Sequence, residues 1–316
     1  MKKEDLYAKI IDVVESGVYF VDIEKRLTFW NKAAEDISGY KKEEILGLQC
    51  QHTGLDHIDE HGSQLCKVGC PLYATIIDGN TREAEVFLKH KDGHRVPIKV
   101  NIFPLEEDGQ IVGAVEIFHQ NSPAVYDDNL MEDLKNNASN DSLTGLPNRK
   151  SVETFLEFKI SEVKRFERKF CVIFLDIDNF GAFNKEHGHV IGDLVLKTVA
   201  TTVMRTVRTT DIFGRWGGEE FIGVFEVKQE FEASIIAEKI RMLISNCEID
   251  SSEGENLSVT ASLGCTVVRD SDTILSVVNR ADGMMRESKR KGKNKVSFSS
   301  YSSDLEDALI KRMGLR

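Results

Sequence analysis

Two short acidic segments have the residue types and spacing to bind a divalent cation. The first, DID at 176–178, ends an apolar run that begins at Phe170, and the second, GGEE at 217–220, opens with paired glycines. The apolar run is typical of a strand buried on both faces, and paired glycines allow a tight turn that approaches a ligand closely. If the turn lies beside the strand end, Asp176 and Glu219 become hard oxygen ligands for Mg²⁺, with nucleotide phosphates completing the coordination. Such a site suits nucleotidyl transfer, although each segment alone also describes an ordinary strand end or hairpin.

A basic run near the C-terminus is the candidate phosphate site. Its members are Arg286, Lys289, Arg290, Lys291, Lys293 and Lys295. The same run also fits the solvated end of a helix. Because the net charge of the chain is -11, the phosphates of a nucleic acid would meet a mostly repulsive field. We therefore expect no nucleic-acid partner.

A third group of residues could form a sensor site. Within the stretch 50–70 the chain has three thiols and three imidazoles: Cys50, Cys66, Cys70, His52, His57 and His61. In a reducing compartment such clustered cysteines indicate metal or redox chemistry more readily than disulfides. A soft metal, an iron-sulfur cluster or haem through one histidine would suit them. Buried cysteines in a ligand-free loop are the competing interpretation, since no zinc-ribbon spacing is present. The candidate sensor ligands are Cys50, Cys66, Cys70 and His57, and their spacing does not identify one cofactor.

The elements around these groups predict an α+β protein. Strand-like alternation over 17–30 and 84–102, with Asp-Gly turn signals at 92–93 and 108–109, predicts a small antiparallel sheet with helices on one face. Downstream, strands and helices alternate: helices to about residue 168 and over about 192–208, 230–245 and 273–290, and strands over 170–177, 257–268 and 295–298. These elements predict a mixed central sheet covered by helices.

Length and composition favour two domains and a connector. The 316 residues, 41% hydrophobic and 29% charged, contain no apolar run near the ~20 residues of a membrane span. The residues after Met1 are charged, so we expect no secretory signal, a cytoplasmic protein and no membrane partner. The polar stretch after Gln120 has Met131, Leu134 and Ala138 at helical seam spacing, which fits a signalling helix or a plain solvated connector. We expect a sensor domain at 1–120, a helical linker at 121–140, a catalytic domain at 141–300 and a tail at 301–316.

The N-terminal part resembles a PAS domain. The resemblance rests on GVYFVDIEKRLTFWNKAAEDISGYKKEEILG, followed by HKDGHRVPIKV and GQIVGAVEIF, and covers nearly the whole of this part. It implies a sensor and dimerisation module, but the fold does not name a ligand.

The C-terminal part resembles the GGDEF family of diguanylate cyclases over residues 138–299. Six segments occur in the order of the family: DSLTGLPNR, FLDIDNF, FNKEHGHVIGD, RWGGEEF, VTASLG and ADGMMRESKRKGKNKV. The resemblance implies a palm-like nucleotide-cyclase sheet flanked by helices. It also implies a nucleotidyltransferase that condenses two GTP into cyclic di-GMP and two pyrophosphates.

Carried over by position, the resemblance assigns site residues. Asp176 and Glu219 would be catalytic and, with the Ile177 carbonyl, would bind Mg²⁺ or Mn²⁺, two ions per active site. Asn184 and Asp193 would bind guanine, and a carboxylate at 193 should reject ATP because adenine presents a lone pair at N1 where guanine presents N–H. The remaining substrate ligands are Phe180 and Gly181 through their backbone amides, and Lys289 and Lys293 through charge.

Three positions depart from the family. It usually has Lys at 181 and Asp at 185, and often Arg at 293, where this chain has Gly181, Lys185 and Lys293. The missing lysine is expected to weaken GTP binding. A catalytically silent GGDEF domain that binds GTP or cyclic di-GMP is therefore the competing hypothesis. A cyclase that makes an adenine-containing dinucleotide is a further alternative, which Asp193 argues against.

The resemblance also implies regulation and assembly. Arg208 and Asp211 form an R-x-x-D before the GGEEF turn, as in the family's site for inhibition by cyclic di-GMP. Taken alone, this pattern also fits an ion pair at a helix end. Because each nucleotide must attack the other, we expect a homodimer formed through the PAS domain and the linker.

Overall fold

The computed structural model describes residues 11–12, 14–120, 140–166, 168–250 and 256–299. The described residues fall into two units, one before and one after the segment 121–139. The predicted linker helix, with Met131, Leu134 and Ala138, and the predicted tail both lie outside the described residues. Within the ranges given above, no helix has the length and apolar character needed to cross a bilayer.

The first unit is built on a five-stranded antiparallel sheet. Its strands are β1 Gly17–Asp22, β2 Leu27–Trp30, β3 Arg82–Lys89, β4 Arg95–Glu107 and β5 Gln110–Gln120, in the order β2-β1-β5-β4-β3. Its helices are α1 Lys32–Ser38, α2 Lys42–Ile45 and α3 Pro71–Asp78. Asp108 and Gly109 join β4 to β5 with φ values of 50 and 78, the left-handed conformation that a tight hairpin turn requires.

The second unit contains a five-stranded mixed sheet in the order β12-β11-β6-β8-β7. The strands are β6 Lys169–Ile177, β7 Ile212–Gly217, β8 Glu220–Val227, β11 Ala261–Val267 and β12 Val296–Ser299, and β9 Ile249–Asp250 pairs separately with β10 Asn256–Leu257. The helices are α4 Arg149–Phe166, α5 Phe180–His187, α6 His189–Met204, α7 Phe231–Ser245 and α8 Ile274–Arg290.

Strand β6 lies at the centre of this sheet and is buried on both faces. Its odd-numbered side chains from 171 to 177 pack with α6 and α7, and its even-numbered side chains from 170 to 174 pack with α4 and α8. The alternation places an apolar core on each face of one strand. The predicted α+β architecture is confirmed.

One region differs from the prediction. A single helix was expected over about 192–208, whereas the structure has α5 and α6, separated by Gly188 with φ 83. The polar segment FNKEHGH has little apolar periodicity, so the sequence does not reveal α5. The predicted strand at 257–268 corresponds to β10 and β11, with a gap between them.

Candidate active site

The end of β6 and the turn between β7 and β8 lie side by side. Asp176 is opposite Glu220 in the pairing of β6 with β8, and the backbone amide of Ile177 donates to the carbonyl of Glu219 over 3.3 Å. Gly218 has φ 53, a conformation that favours glycine and lets the turn stay tight. The structure therefore brings the two predicted acidic segments together.

Asp176 has one carboxylate oxygen available to a ligand. Its side chain is almost fully buried; Oδ2 pairs with Lys289 Nζ at 2.7 Å, and Oδ1 has no hydrogen-bond partner among the described residues. Burial, partly opposed by Lys289, raises the pKa of Asp176. Because an unsatisfied buried oxygen is costly, this atom is suited to accept a cation or a hydrogen-bond donor.

Neighbouring carboxylates increase the negative charge at this point. Burial, followed by the charges of Asp176 and Asp282, raises the pKa of Glu220, and Glu219 lies in the adjoining turn. Carboxylate oxygens in this arrangement are the hard donors that Mg²⁺ and Mn²⁺ prefer. The residues therefore fit the divalent cations that the sequence predicts.

Two members of the basic run lie against the strand end. Lys289 pairs with Asp176, and Lys293 donates to the carboxamide oxygen of Asn179. Other members of the run pair with acids of α8: Arg286 with Asp282, and Arg290 and Lys291 with Glu287. The two predicted phosphate ligands thus differ from these neighbours by facing the acidic site.

Asp178 has a structural role that the sequence did not reveal. Its carboxylate accepts hydrogen bonds from the hydroxyls of Thr260 at 2.7 Å and Ser262 at 2.6 Å, and from the backbone amide of Asn294 at 2.9 Å. It therefore fastens the segment after α8, which includes Lys293, to the end of β6. Within the DID segment, Asp176 is therefore the residue whose carboxylate keeps an oxygen without a hydrogen bond among the described residues.

The predicted guanine ligands lie on neighbouring helices. Asn184 is in α5 and its Oδ1 is buried without a hydrogen-bond partner in the described chain, whereas Asp193, in α6, is exposed. A Cβ on Gly192 would come within 1.9 Å of Asn184 Oδ1. Glycine at 192 is thus required for the position of Asn184, a constraint that appears only in three dimensions.

Phe180 and Gly181, the predicted backbone ligands of phosphate, lie at the N-terminus of α5. The Phe180 side chain belongs to the apolar core, so its backbone amide is the group it could offer a phosphate. A side chain at Gly181 would project into open space, and Lys185 is exposed. The lysine usual at 181 would therefore fit here, and its absence is a difference in charge rather than in shape.

The predicted inhibitory pair divides into an exposed and a structural residue. Arg208 is exposed, while Asp211 is buried and accepts from the backbone amide of Glu226 at 2.9 Å and from the Thr210 hydroxyl at 3.2 Å. Burial raises the pKa of Asp211. Asp211 therefore stabilises the edge of the sheet, and Arg208 is the side chain that faces solvent.

In the first unit, the four candidate sensor ligands line one small pocket. Cys50 and His57 are buried, Cys66 and Cys70 are half-buried, and all three cysteines are free thiols. Burial lowers the pKa of His57 to about 4, so its imidazole is neutral. Tyr19 and Glu116, which the sequence did not suggest, complete the polar lining because β1 and β5 are adjacent strands.

Both units match known families. Residues 138–295 match the family described as diguanylate cyclase, GGDEF domain, and residues 15–121 match a PAS domain. The probable diguanylate cyclase DgcE of Escherichia coli (strain K12) is 28% identical over 302 residues, covering 94% of this chain and 26% of the relative. Diguanylate cyclase DgcP of Pseudomonas aeruginosa is 33% identical over 169 residues, covering 54% of this chain and 25% of the relative. The chain thus spans about a quarter of the length of these relatives.

Solved structures resemble the second unit. The coiled coil and GGDEF domain of DgcB from Caulobacter crescentus, in complex with c-di-GMP, is 30% identical with a TM-score of 0.51 and covers 54% of this chain and 90% of that one. Diguanylate cyclase SiaD from Pseudomonas aeruginosa, in complex with its activator SiaC, is 34% identical with a TM-score of 0.51, covering 54% of this chain and 66% of that one. From the matched families and from the acidic strand end beside an intact GGEEF turn, we conclude that the chain belongs to the GGDEF family and carries a PAS domain ahead of its GGDEF domain.

Proposed function

We propose that this protein is a diguanylate cyclase that condenses two GTP into cyclic di-GMP and two pyrophosphates, regulated by its PAS domain and by its product. The observation that carries the proposal is the buried Asp176 carboxyl, whose Oδ1 has no hydrogen-bond partner in the described chain beside the turn that holds Glu219. The names of the relatives support the same activity.

Asp176, the Ile177 carbonyl and Glu219 would hold two Mg²⁺ or Mn²⁺ ions, which stabilise the charge that develops on the transferred phosphoryl group. Lys289 neutralises Asp176 in the structure, 2.7 Å from Oδ2. When the nucleotide binds, the ammonium of Lys289 would exchange this carboxylate for phosphate oxygens. Lys293, fastened through Asn294 to Asp178, would bind the same triphosphate.

Asp193 and Asn184 would select guanine. A carboxylate accepts from guanine N1–H and from its exocyclic amine, whereas adenine offers a lone pair at N1. Asn184 Oδ1, which has no partner among the described side chains and backbone, would accept a further hydrogen bond. An adenine base would leave these acceptors unpaired, and such a loss gives strong discrimination.

In the reaction, the 3′-oxygen of each GTP attacks the α-phosphorus of the other. The bond from that phosphorus to pyrophosphate breaks, and Glu219 would help to take up the proton of the 3′-hydroxyl. Two such steps close the ring and release two pyrophosphates. A two-fold homodimer, formed through the PAS domain and linker, would place two half-sites face to face. The PAS domain would set how often the half-sites meet.

Product inhibition would act through Arg208 and Asp211. An exposed guanidinium can donate to guanine O6 and N7 in bidentate fashion, and the solved DgcB structure is a complex with c-di-GMP. Product bound there would hold the two catalytic domains apart without blocking GTP binding.

A silent, ligand-binding GGDEF domain is the second candidate, because Gly181 removes a charge where the family usually has lysine. Incubating the full chain with GTP and Mg²⁺, and identifying the products by chromatography and mass spectrometry, separates the two. We expect cyclic di-GMP with two pyrophosphates per molecule. Binding of GTP without any dinucleotide product would establish the silent domain and refute the cyclase.

A further inference from the structure

The pocket of the first unit combines side chains that favour one class of metal ion. Thiols of Cys50, Cys66 and Cys70, the imidazole of His57 and the carboxyl of Glu116 line it, and none of the described residues that line it is lysine or arginine. Thiolates and neutral imidazole are the preferred ligands of Zn²⁺ and similar thiophilic ions.

An unsatisfied polar atom at this pocket indicates a ligand independently of the cysteines. His57 Nε2 is buried and makes no hydrogen bond within the described ranges, whereas the Tyr19 hydroxyl interacts with the side chains of Glu116 and Cys50. Buried polar groups in folded proteins are nearly always paired with protein, water or a ligand. The imidazole nitrogen, at a cavity that three thiols also line, is explained by an occupant that accepts its lone pair.

The size of the cavity selects among the occupants. Its volume is about 20 Å³, close to the ~10–15 Å³ that one water molecule needs. A single ion or a single water molecule fits among the side chains that line this space, and the thiols and the imidazole favour the ion. Haem and an iron-sulfur cluster need a much larger space.

We propose that this pocket binds one thiophilic metal ion of the Zn²⁺ type through Cys50, His57, Cys66 and Cys70. Glu116 and Tyr19 lie beside the ion, and the Tyr19 hydroxyl can donate a hydrogen bond to the Cys50 thiolate. The inference is independent of the proposed cyclase activity, because the site lies wholly within the first unit.

Binding requires a movement that the local structure permits. Among the described residues, no three of these ligand atoms lie within 4.8 Å of one another, so the ion must draw Cys66 and Cys70 towards Cys50 and His57. Both cysteines are half-buried and precede α3, and Gly69 between them has φ 78. Because α3 packs on β4 and β5, closing this segment on an ion would stabilise the sheet as well.

A second cluster in the same unit provides the alternative location. His90, Asp92 and His94, at the turn between β3 and β4, have ligand atoms within 4.8 Å of one another. However, the backbone amide of Asp92 donates to His90 Nδ1 at 3.0 Å, and the two imidazoles stack with their centroids 4.3 Å apart. The Nδ1 of His90 is thus engaged, and this cluster contains no thiol, so we assign a thiophilic ion to the thiol pocket.

The test titrates reduced, chelator-treated full-length protein with Co²⁺ and then with Zn²⁺. We expect one Co²⁺ per chain with thiolate-to-cobalt charge-transfer absorption, which carboxylate-bound Co²⁺ does not show, and its loss when Zn²⁺ displaces Co²⁺. The unfolding temperature should rise with Zn²⁺, since the ion binds the folded state. Cys66→Ser and Cys70→Ser should each weaken binding at least about tenfold, while His61→Ala, an exposed histidine of the same segment, should bind as the parent does.

Three results would overturn the proposal. The first is the absence of charge-transfer absorption in the parent, and the second is binding by both serine variants that equals the parent. The third is binding that survives in both serine variants and disappears in His94→Gln, which would place the ion at the turn between β3 and β4. If one serine variant fails to fold, the other and His57→Gln decide the outcome by the same spectrum.

Discussion

Arg215 joins the GGEEF turn to Asp141, a residue 74 positions earlier in the chain. Its Nη1 lies 3.0 and 3.1 Å from the two carboxylate oxygens of Asp141, while Nε and Nη2 donate to the carbonyl of Gly218 at 3.0 and 2.8 Å. Asp141 is held in turn by the amide and hydroxyl of Thr144. One guanidinium therefore couples the conformation of the GGEEF turn to the first described residues of the second unit, around Asp141.

Arg215→Ala should lower turnover at least about tenfold, because Glu219 loses its support and small displacements of a catalytic group are costly. Asp141→Ala should have a smaller effect, since both bonds to Gly218 remain. Arg149→Ala is the matched control: this arginine stacks on Trp216 at 4.3 Å and pairs with Glu153. Steady-state kinetics with GTP measure whether turnover falls most in Arg215→Ala, less in Asp141→Ala and least in Arg149→Ala. Equal rates for Arg215→Ala and Arg149→Ala would contradict the coupling.

Asp176→Asn and Glu219→Ala should each lower turnover by at least ~10²-fold, since each removes charge stabilisation worth about 3 kcal/mol in the transition state. Asp270→Asn, which removes an exposed carboxylate of the same unit, should remain close to the parent. Initial rates of cyclic di-GMP formation provide the measurement. Near-normal activity in either active-site variant would exclude the metal assignment.

GTP should be used far better than ATP, and Asp193→Ser should erode the preference because the carboxylate complements the donors of guanine. Lys197→Ala, at another exposed position of α6, is the control and should keep the preference. The ratio of kcat/KM for GTP and ATP is the quantity to compare. Equal use of both nucleotides by the parent would refute this reading of Asp193.

Arg208→Ala should raise the inhibition constant for cyclic di-GMP roughly 5-fold to 150-fold, since a bidentate arginine contact with guanine is worth about 1 to 3 kcal/mol. The initial rate should stay near that of the parent. Asp211→Ala is less informative because it also breaks the hydrogen bond to the Glu226 amide. Progress curves with and without added product decide the matter; a parent that slows only through substrate depletion, or identical slowing in Arg208→Ala, would argue against this site.

The contribution of Glu116 to the stability of the PAS unit should fall as pH rises. Burial raises the pKa of Glu116 from its ordinary 4.5 to about 7, so the folded state holds this proton more tightly than the unfolded chain. The contribution is fully present below about pH 4.5 and is lost as pH rises through 7, a change of about 3 kcal/mol in the free energy of unfolding. Buried His57, whose pKa is lowered from 6.5 to about 4, has the opposite effect over the same range, so the quantity to compare is the difference in urea unfolding free energy between the parent and Glu116→Gln. This difference should fall as pH rises, and parallel pH profiles of the two proteins would show that other groups are responsible.

The local patterns of the sequence determined the secondary structure around the site and its chemical type. The apolar run from Phe170 predicted a strand buried on both faces, because burial on each side selects apolar residues at every position. The acidic strand end, the Gly-Gly turn and the basic run each depend on residues within a few positions of one another, which is the range over which sequence patterns are informative. Their order along the chain indicated nucleotidyl chemistry through the resemblance to the GGDEF family.

Tertiary packing decided which of these acidic residues keep an oxygen available to a ligand. Asp176 and Asp178 are alike in sequence, yet Thr260, Ser262 and Asn294 satisfy the second and leave the first with an unpaired oxygen. Sheet order likewise brought Glu116 and Tyr19 to the cysteine pocket. These contacts join residues far apart in the chain, and no local propensity specifies them; they form because strands and helices bury their apolar faces in one particular arrangement.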